Sequence, residues 1–170
     1  FTAVNRIDDF AYTPEQNIAH SMTALMAQNK GAGKKNRMQE GFRCGMVLES
    51  IYGIFIFLVC FIFAKPLMCL FVQDEEVIMH GVTYLHLISI MYILPAFTNG
   101  IQGFFRGIGD LKITLISSLV NMTVRVIVAA PLVFSLHLGI EALPYSYLAG
   151  WIGMLVVELP LLIRTYEAYE

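Results

Sequence analysis

Between Val77 and Phe105 the chain has no Lys, Arg, Asp or Glu, a run of 29 residues. About 20 largely apolar residues are enough to carry a helix across the hydrocarbon core of a bilayer. A charge-free run of this length therefore points to a membrane solvent more directly than to a buried helix in water. The bulk composition agrees: 57% of the 170 residues are hydrophobic, 14% are charged and the mean hydropathy is +0.66. A soluble domain has about a quarter of its residues charged. The fold class expected is an all-α polytopic membrane protein, its partner a lipid bilayer and not a nucleic acid. Cys44, Cys60 and Cys69 are too few and in too apolar a setting for a disulfide framework and read as free thiols. The chain opens at Phe1 in sequence that already looks helical, with no initiator Met, signal peptide or lipidation motif, and reads as a piece of something longer.

The long polar break at Gln28–Arg37 orients the helices. With Arg43 it holds Lys30, Lys34, Lys35 and Arg37, five of the chain's eleven basic residues. Such a cluster between apolar stretches places a loop on the cytoplasmic side of a membrane. Five helices follow from the pattern, over about 1–27, 38–72, 77–105, 113–134 and 145–163. Pro95 and Gly100 predict a kink in the third. Asp74, Glu75 and Glu76 predict its start, since carboxylates suit the positive end of a helix dipole. Alternation then puts eight basic residues (Lys30, Lys34, Lys35, Arg37, Arg43, Arg106, Lys112 and Arg164) inside and only Lys65 outside. This predicts a multi-pass protein of the plasma membrane with an outer N-terminus and a cytoplasmic C-terminus.

The first helix is half polar. At about 100° per residue, Asn5, Asp9, Tyr12, Thr13, Gln16, His20 and Thr23 share one narrow sector, flanked by Asp8 and Glu15 on one side and Arg6 and Asn17 on the other. A charge near mid-bilayer costs roughly 2.5–3.5 kcal/mol on insertion scales, so this face should meet protein or water. At ~1.5 Å per residue, Glu15, Glu49 and Arg125 come out roughly 17–20 Å above the inner loops, at one level, and Asp8 and Asp9 nearer the outer interface, where water can hydrate them. Glu15 is thus expected to pair with Arg125 across the interior, with Glu49 as a competing partner. Two roles are open to such groups. They form a buried ion pair that fixes helix packing, or a carboxylate whose proton or cation occupancy changes with the side of access. His20, one turn below Gln16, reads first as an interior hydrogen-bonded histidine and only second as a site residue.

Two motifs carry a family resemblance. Pro14-Glu15-Gln16-Asn17-Ile18-Ala19-His20, followed by Ala27-Gln28-Asn29-Lys30-Gly31-Ala32-Gly33 and Arg37, resembles the helix-and-loop signature of the multidrug and toxic compound extrusion (MATE) family. Gln102-Gly103-Phe104-Phe105-Arg106-Gly107-Ile108-Gly109-Asp110 resembles that family's second glycine loop, with Phe105 where Leu is usual. The resemblance implies five transmembrane helices of a MATE-type six-helix lobe, the eighth to the twelfth of twelve. The N-terminal lobe would be a missing partner. It also implies export of organic cations or other amphiphilic drugs in exchange for sodium ions or protons. No cofactor is implied beyond that coupling ion. The substrate- and ion-binding candidates are Glu15, Gln16, Asn17, His20, Asp9, Tyr12, Glu49 and Arg125. Val77–Phe105 lacks the carboxylate that some members carry on this helix, so the coupling ion is not legible. The alternatives are a lipid-linked saccharide flippase of the same superfamily, or a non-transporting membrane assembly protein. An enzyme is not expected, because no nucleophile–base or metal pair is visible.

Overall fold

The structure, a computed structural model, describes residues 2–134 and 142–167. Seven helices occur among them: α1 (Thr2–Gly31), α2 (Lys35–Ile62), α3 (Ala64–Cys69), α4 (Glu75–Ser89), α5 (Ile93–Ile108), α6 (Leu111–Phe134) and α7 (Ala142–Glu167). α2, α6 and α7 are each long and apolar enough to span a membrane, as are α4 and α5 taken as one bent span. α1 is as long as any of them but too polar to qualify, and it packs between α2 and α5. Between the expected fourth and fifth helices, residues 135–141 lie outside the described residues, and α7 already begins at Ala142, before the expected start at 145.

Two expected spans are broken. The second helix ends at Ile62, and the short α3 then carries Lys65 and Pro66. The third is not a kinked 77–105 helix. It is α4 and α5, bent by 47° across residues 90–92, so the bend falls before Pro95 and not at Gly100. Proline has no N–H, and its ring crowds the carbonyl four residues back, which is that of Met91. The chain passes this point through tight turns, Met91 N to Ile88 O at 2.9 Å and Leu94 N to Met91 O at 3.0 Å. The start of α4 is as the sequence predicts. Asp74 caps it by accepting from the backbone N–H groups of Glu76 and Val77, at 3.0 and 3.3 Å.

The two glycine motifs build the same device twice. α1 ends with Gly33 in the left-handed region at φ 67°, and α5 with Gly109 at φ 84°. In each, the residue after the glycine bonds back across the last turn. Lys34 N meets Asn29 O at 2.9 Å, and Asp110 N meets Phe105 O at 2.9 Å. This is the Schellman closure, which satisfies carbonyls that a helix end would otherwise leave unpaired. The two loops also meet: Lys30 Nζ donates to the carbonyl of Ile108. Both basic loops therefore lie at one end of the bundle, as the alternation of charge requires.

Packing follows from small residues. A Cβ on Gly103 would lie 2.7 Å from the carbonyl oxygen of Ala19, and one on Gly107 would lie 2.8 Å from that of Thr23. α1 and α5 therefore touch backbone to backbone, the close approach that small residues allow in membrane bundles. Thr23 Oγ1 sits in the contact, bonding Ala19 O at 2.9 Å and Gly103 O at 3.1 Å. Two apolar clusters fill the bundle. One, around Met22, Met26, Phe42, Phe104 and Phe105, lies at the glycine-loop end. The other, around Ile7, Cys60, Met68, Leu85 and Tyr92, lies at the opposite end. Large apolar side chains such as Ile51, Phe55, Leu119 and Val126 face outward. In water they would form an adhesive surface; in lipid they are solvated.

Replacing Gly103 by Val should force α1 and α5 apart and cost about 1–3 kcal/mol, the usual range for overpacking. Gly31→Ala, where an added Cβ meets nothing within 4 Å, should leave stability nearly unchanged. Thermal unfolding in detergent, followed by circular dichroism, compares the two. Equal losses in both variants would remove the argument for close helix contact.

Candidate functional site

The N-terminal half of the polar sector of α1 turns inward. It lines a cavity of about 560 Å³ between α1, α5, α6 and α7, whereas Thr13 and His20 of the same sector are exposed outside it. α1 supplies Asn5, Asp8, Asp9, Tyr12 and Gln16 to its wall, and α5 supplies Thr98, Asn99 and Gln102. α6 adds Ser118, Asn121 and Arg125, while α7 adds Tyr147, Trp151 and Met154. The volume lies within the roughly 300–1,000 Å³ of small-molecule sites.

One end of the cavity is aromatic. Tyr12 lies 6.3 Å from Trp151 between ring centroids, and Trp151 lies 6.1 Å from Tyr147. Tyr12 also stands edge-on to Tyr92 at 5.6 Å. The hydroxyl of Tyr92, at the bend between α4 and α5, donates to Asp8. The covalent bend and the acidic wall of the cavity are thus joined through one side chain.

Arg125 does not pair with Glu15. Its guanidinium lies 3.8 Å over the ring of Tyr147, a cation–π contact. Gly150 makes room for it: a Cβ there would come within 2.5 Å of Arg125 Cγ. The depth argument set Glu15 and Arg125 at one height but not on facing sides. Arg125 points into the cavity, and Glu15 points away from it.

Glu15 and Glu49 instead lie behind the cavity wall, both 0% exposed. They are within electrostatic reach of one another, and Asn99 adjoins Glu15. Glu49 packs beside Gly100 of α5. None of their four carboxylate oxygens meets hydrogen-bond geometry with the protein. Buried carboxylates so placed need a proton, a cation or a moving partner, because an uncompensated charge in a low-dielectric interior is costly.

Of the sequence-predicted residues, Asp9, Tyr12, Gln16 and Arg125 thus share the cavity. Glu15 and Glu49 form a separate buried pair. Asn17 lines a different groove, between α1 and α2, together with Ser21, Arg37 and Glu40. His20 is exposed on α1, outside the lining of both. The structure therefore separates one expected site into several places.

Asp8, Trp151 and Glu158 are not among the site candidates that the sequence singles out. Asp8, which depth places at the outer interface with Asp9, is the one tied to Tyr92. Trp151 is the chain's single tryptophan. Glu158 is the only acidic residue from Ala142 to Tyr166, a signal that was available, and it is fully buried. The polar residues of α6 divide between packing and cavity. Ser117 is buried against neighbouring helices, whereas Ser118, Asn121 and Arg125 face the cavity.

Known proteins share this architecture. The chain is 24% identical over 150 residues to the probable multidrug resistance protein NorM of Thermotoga maritima, covering 88% of this chain and 31% of that protein. An inward-facing MATE-family multidrug resistance transporter of the MOP superfamily superposes with a TM-score of 0.84 at 15% identity, over 94% of this chain and 36% of that one. A MATE protein in a bent conformation gives 0.85 at 15% identity, over 94% and 37%. The MATE transporter ClbM in complex with Rb+ gives 0.80 at 16% identity, over 96% and 40%. The chain thus spans about one third of the length of the relatives it matches. The MatE family profile matches residues 1–132, and the chain belongs to the MatE family of multi-pass membrane transporters.

Proposed function

We propose that the chain is the C-terminal part of a secondary antiporter that exports organic cations or other amphiphilic drugs in exchange for sodium ions or protons. The observation that carries this reading is the cavity on the polar side of α1, which combines acidic and aromatic walls inside a bundle whose outer surface is apolar. The family to which the chain belongs supports transport. In this reading the protein lies in the plasma membrane with the basic loops and the C-terminus cytoplasmic, and the cavity opens toward a second, N-terminal lobe.

Roles follow from position. Tyr147 is already covered by Arg125, so a cationic guest would use the rings of Tyr12 and Trp151. Asp8 and Asp9 would supply opposite charge, and Gln16 would orient polar groups. Arg125, stacked on Tyr147 at that same aromatic end, would repel the cationic centre, which would favour guests that lay an apolar ring edge toward Trp151 and keep their charge toward Asp8 and Asp9. Glu15 and Glu49 would carry the coupling proton or cation behind the wall. Their neutralisation would let α1, α2 and α5 pack, and its loss would favour a different packing as access changes side. Asn17 and His20 would act from the outer faces of α1, toward the other lobe.

Fluorescent organic-cation efflux from proteoliposomes holding the complete transporter, under a sodium gradient and then a proton gradient, tests the function. Efflux driven by either gradient is expected; none under both would refute drug antiport. Glu15→Gln in the complete transporter should abolish coupled efflux and leave membrane insertion intact. Normal efflux by that variant would remove Glu15 from the mechanism. Trp151→Ala should weaken binding of a flat organic cation about 2- to 30-fold, the equivalent of a ~0.5–2 kcal/mol cation–π contact. Fluorescence titration reads this directly, and unchanged affinity would exclude Trp151 from the site.

A further inference from the structure

A third buried carboxylate has no part in the reading above. Glu158 lies on α7, where it is 0% exposed. Two other helices close on it. Gln102 of α5 donates from Nε2 to Glu158 Oε1 at 3.2 Å, and Ser117 of α6 adjoins the carboxyl. The second oxygen, Oε2, meets no hydrogen-bond partner.

We propose that Glu158 is a proton-binding site, whose acid form is held between Gln102 and Ser117 behind the wall of the central cavity.

The hydrogen-bond inventory favours the acid form. Ser117 Oγ is 2.8 Å from the backbone carbonyl of Ile113. A carbonyl can only accept, so in that bond Ser117 is the donor and its hydroxyl proton is turned away from Glu158. What Ser117 turns toward Glu158 is a lone pair. An ionised carboxylate is acceptor-only, and against that lone pair it would be unmatched and uncompensated in a buried site. A proton on Oε2, the oxygen left without a partner, neutralises the carboxyl and makes it a donor that a small rotation brings onto Ser117 Oγ, while Oε1 continues to accept from Gln102. Each neighbour then has its complement.

Among the described residues no cation is placed to supply the compensation instead. α7 packs against α4, α5 and α6. From α5, Arg106 Nε is bonded to the Gln102 carbonyl at 3.3 Å. From α6, Lys112 is exposed and Arg125 lies over Tyr147. From α4, His86 Nε2 is bonded to Phe61 O at 3.0 Å, and Tyr84 is packed in the apolar cluster at the end away from the glycine loops. On α7 itself, Arg164 is exposed, and the Tyr166 hydroxyl has no hydrogen-bond partner. A bare metal ion would need several oxygen ligands, yet Gln102 presents an N–H. The balanced step is simple. Hydronium in the cavity transfers a proton to Oε2 and leaves water, and release returns the proton to cavity water.

Gln102 gives the site its connection. It lines the cavity and bonds Glu158 at once. A guest that turns the Gln102 amide would therefore alter the proton's site. This link to substrate rests on the proposed cavity function; the proton site itself rests only on the hydrogen bonds.

Infrared spectroscopy of the chain in lipid vesicles tests the site without any transport assay. The protonated-carboxyl carbonyl band is recorded through neutral pH for the native protein and for Glu158→Gln, with and without sodium. The expected result is a band component at neutral pH, absent from E158Q, that disappears at high pH and ignores sodium. Ser117→Ala, made in a chain that keeps Glu158, should shift that component to higher frequency because the acceptor is lost. This variant carries the test if E158Q fails to insert. Identical native and E158Q spectra, a component lost on adding sodium at constant pH, or no shift in S117A would each overturn the proposal.

Discussion

Everything in this bundle is referred to the contact between α1 and α5. A polar helix of 30 residues has no independent reason to stand in a membrane, because several of its groups would face hydrocarbon. It is held by backbone contact with α5, where Gly103 and Gly107 leave no side chain between the two main chains. Thr23 then bonds across the interface, and Lys30 ties off the last turn of α5. With α1 fixed along one side of α5, the N-terminal half of its polar sector is turned toward α6 and α7. The cavity results from that orientation, since no single helix carries a pocket of its own.

The same contact explains the vertical arrangement of the core. The two apolar clusters occupy opposite ends of the bundle. Between them in sequence, on each of α1, α2 and α5, lie Glu15, Glu49 and the Thr98–Asn99 pair. A polar belt between two apolar ends is poor design for a static bundle, because each unpartnered carboxylate weakens it. It suits a bundle that changes packing, in which the belt exchanges partners while the ends remain assembled. The bend before Pro95 falls where such movement would be read, and Tyr92 connects it to Asp8 and hence to the cavity.

Much of this was legible in the sequence, for identifiable reasons. Charge placement gave the helices and their common loop end, because Lys and Arg are costly in hydrocarbon wherever the chain folds. The 3.6-residue period gave the cavity face of α1, and four of the eight site candidates lie on that cavity. What could not be read was rotation about the helix axes of separate helices. Depth put Glu15 level with Arg125, but nothing in the sequence states that α6 turns Arg125 onto Tyr147 through the space left by Gly150. The bend was misplaced for a local reason: proline acts on the turn before it, so Pro95 breaks the helix at residues 90–92. Glu158 carries a signal of its own, one carboxylate in an otherwise apolar span, but its partners Gln102 and Ser117 lie on two other helices and no periodicity within α7 points to them.

The central claim is that the polar face of α1 encloses an aqueous cavity inside an otherwise lipid-solvated bundle. Single cysteines at Gln16, Asn121, Leu119 and Val126, placed in a background lacking Cys44, Cys60 and Cys69, test it in membranes with a water-soluble thiol reagent. The account predicts labelling at positions 16 and 121 and none at 119 and 126, which react only with a lipid-soluble reagent. Protection of positions 16 and 121 from the water-soluble reagent, or its ready access to 119 and 126, would contradict it.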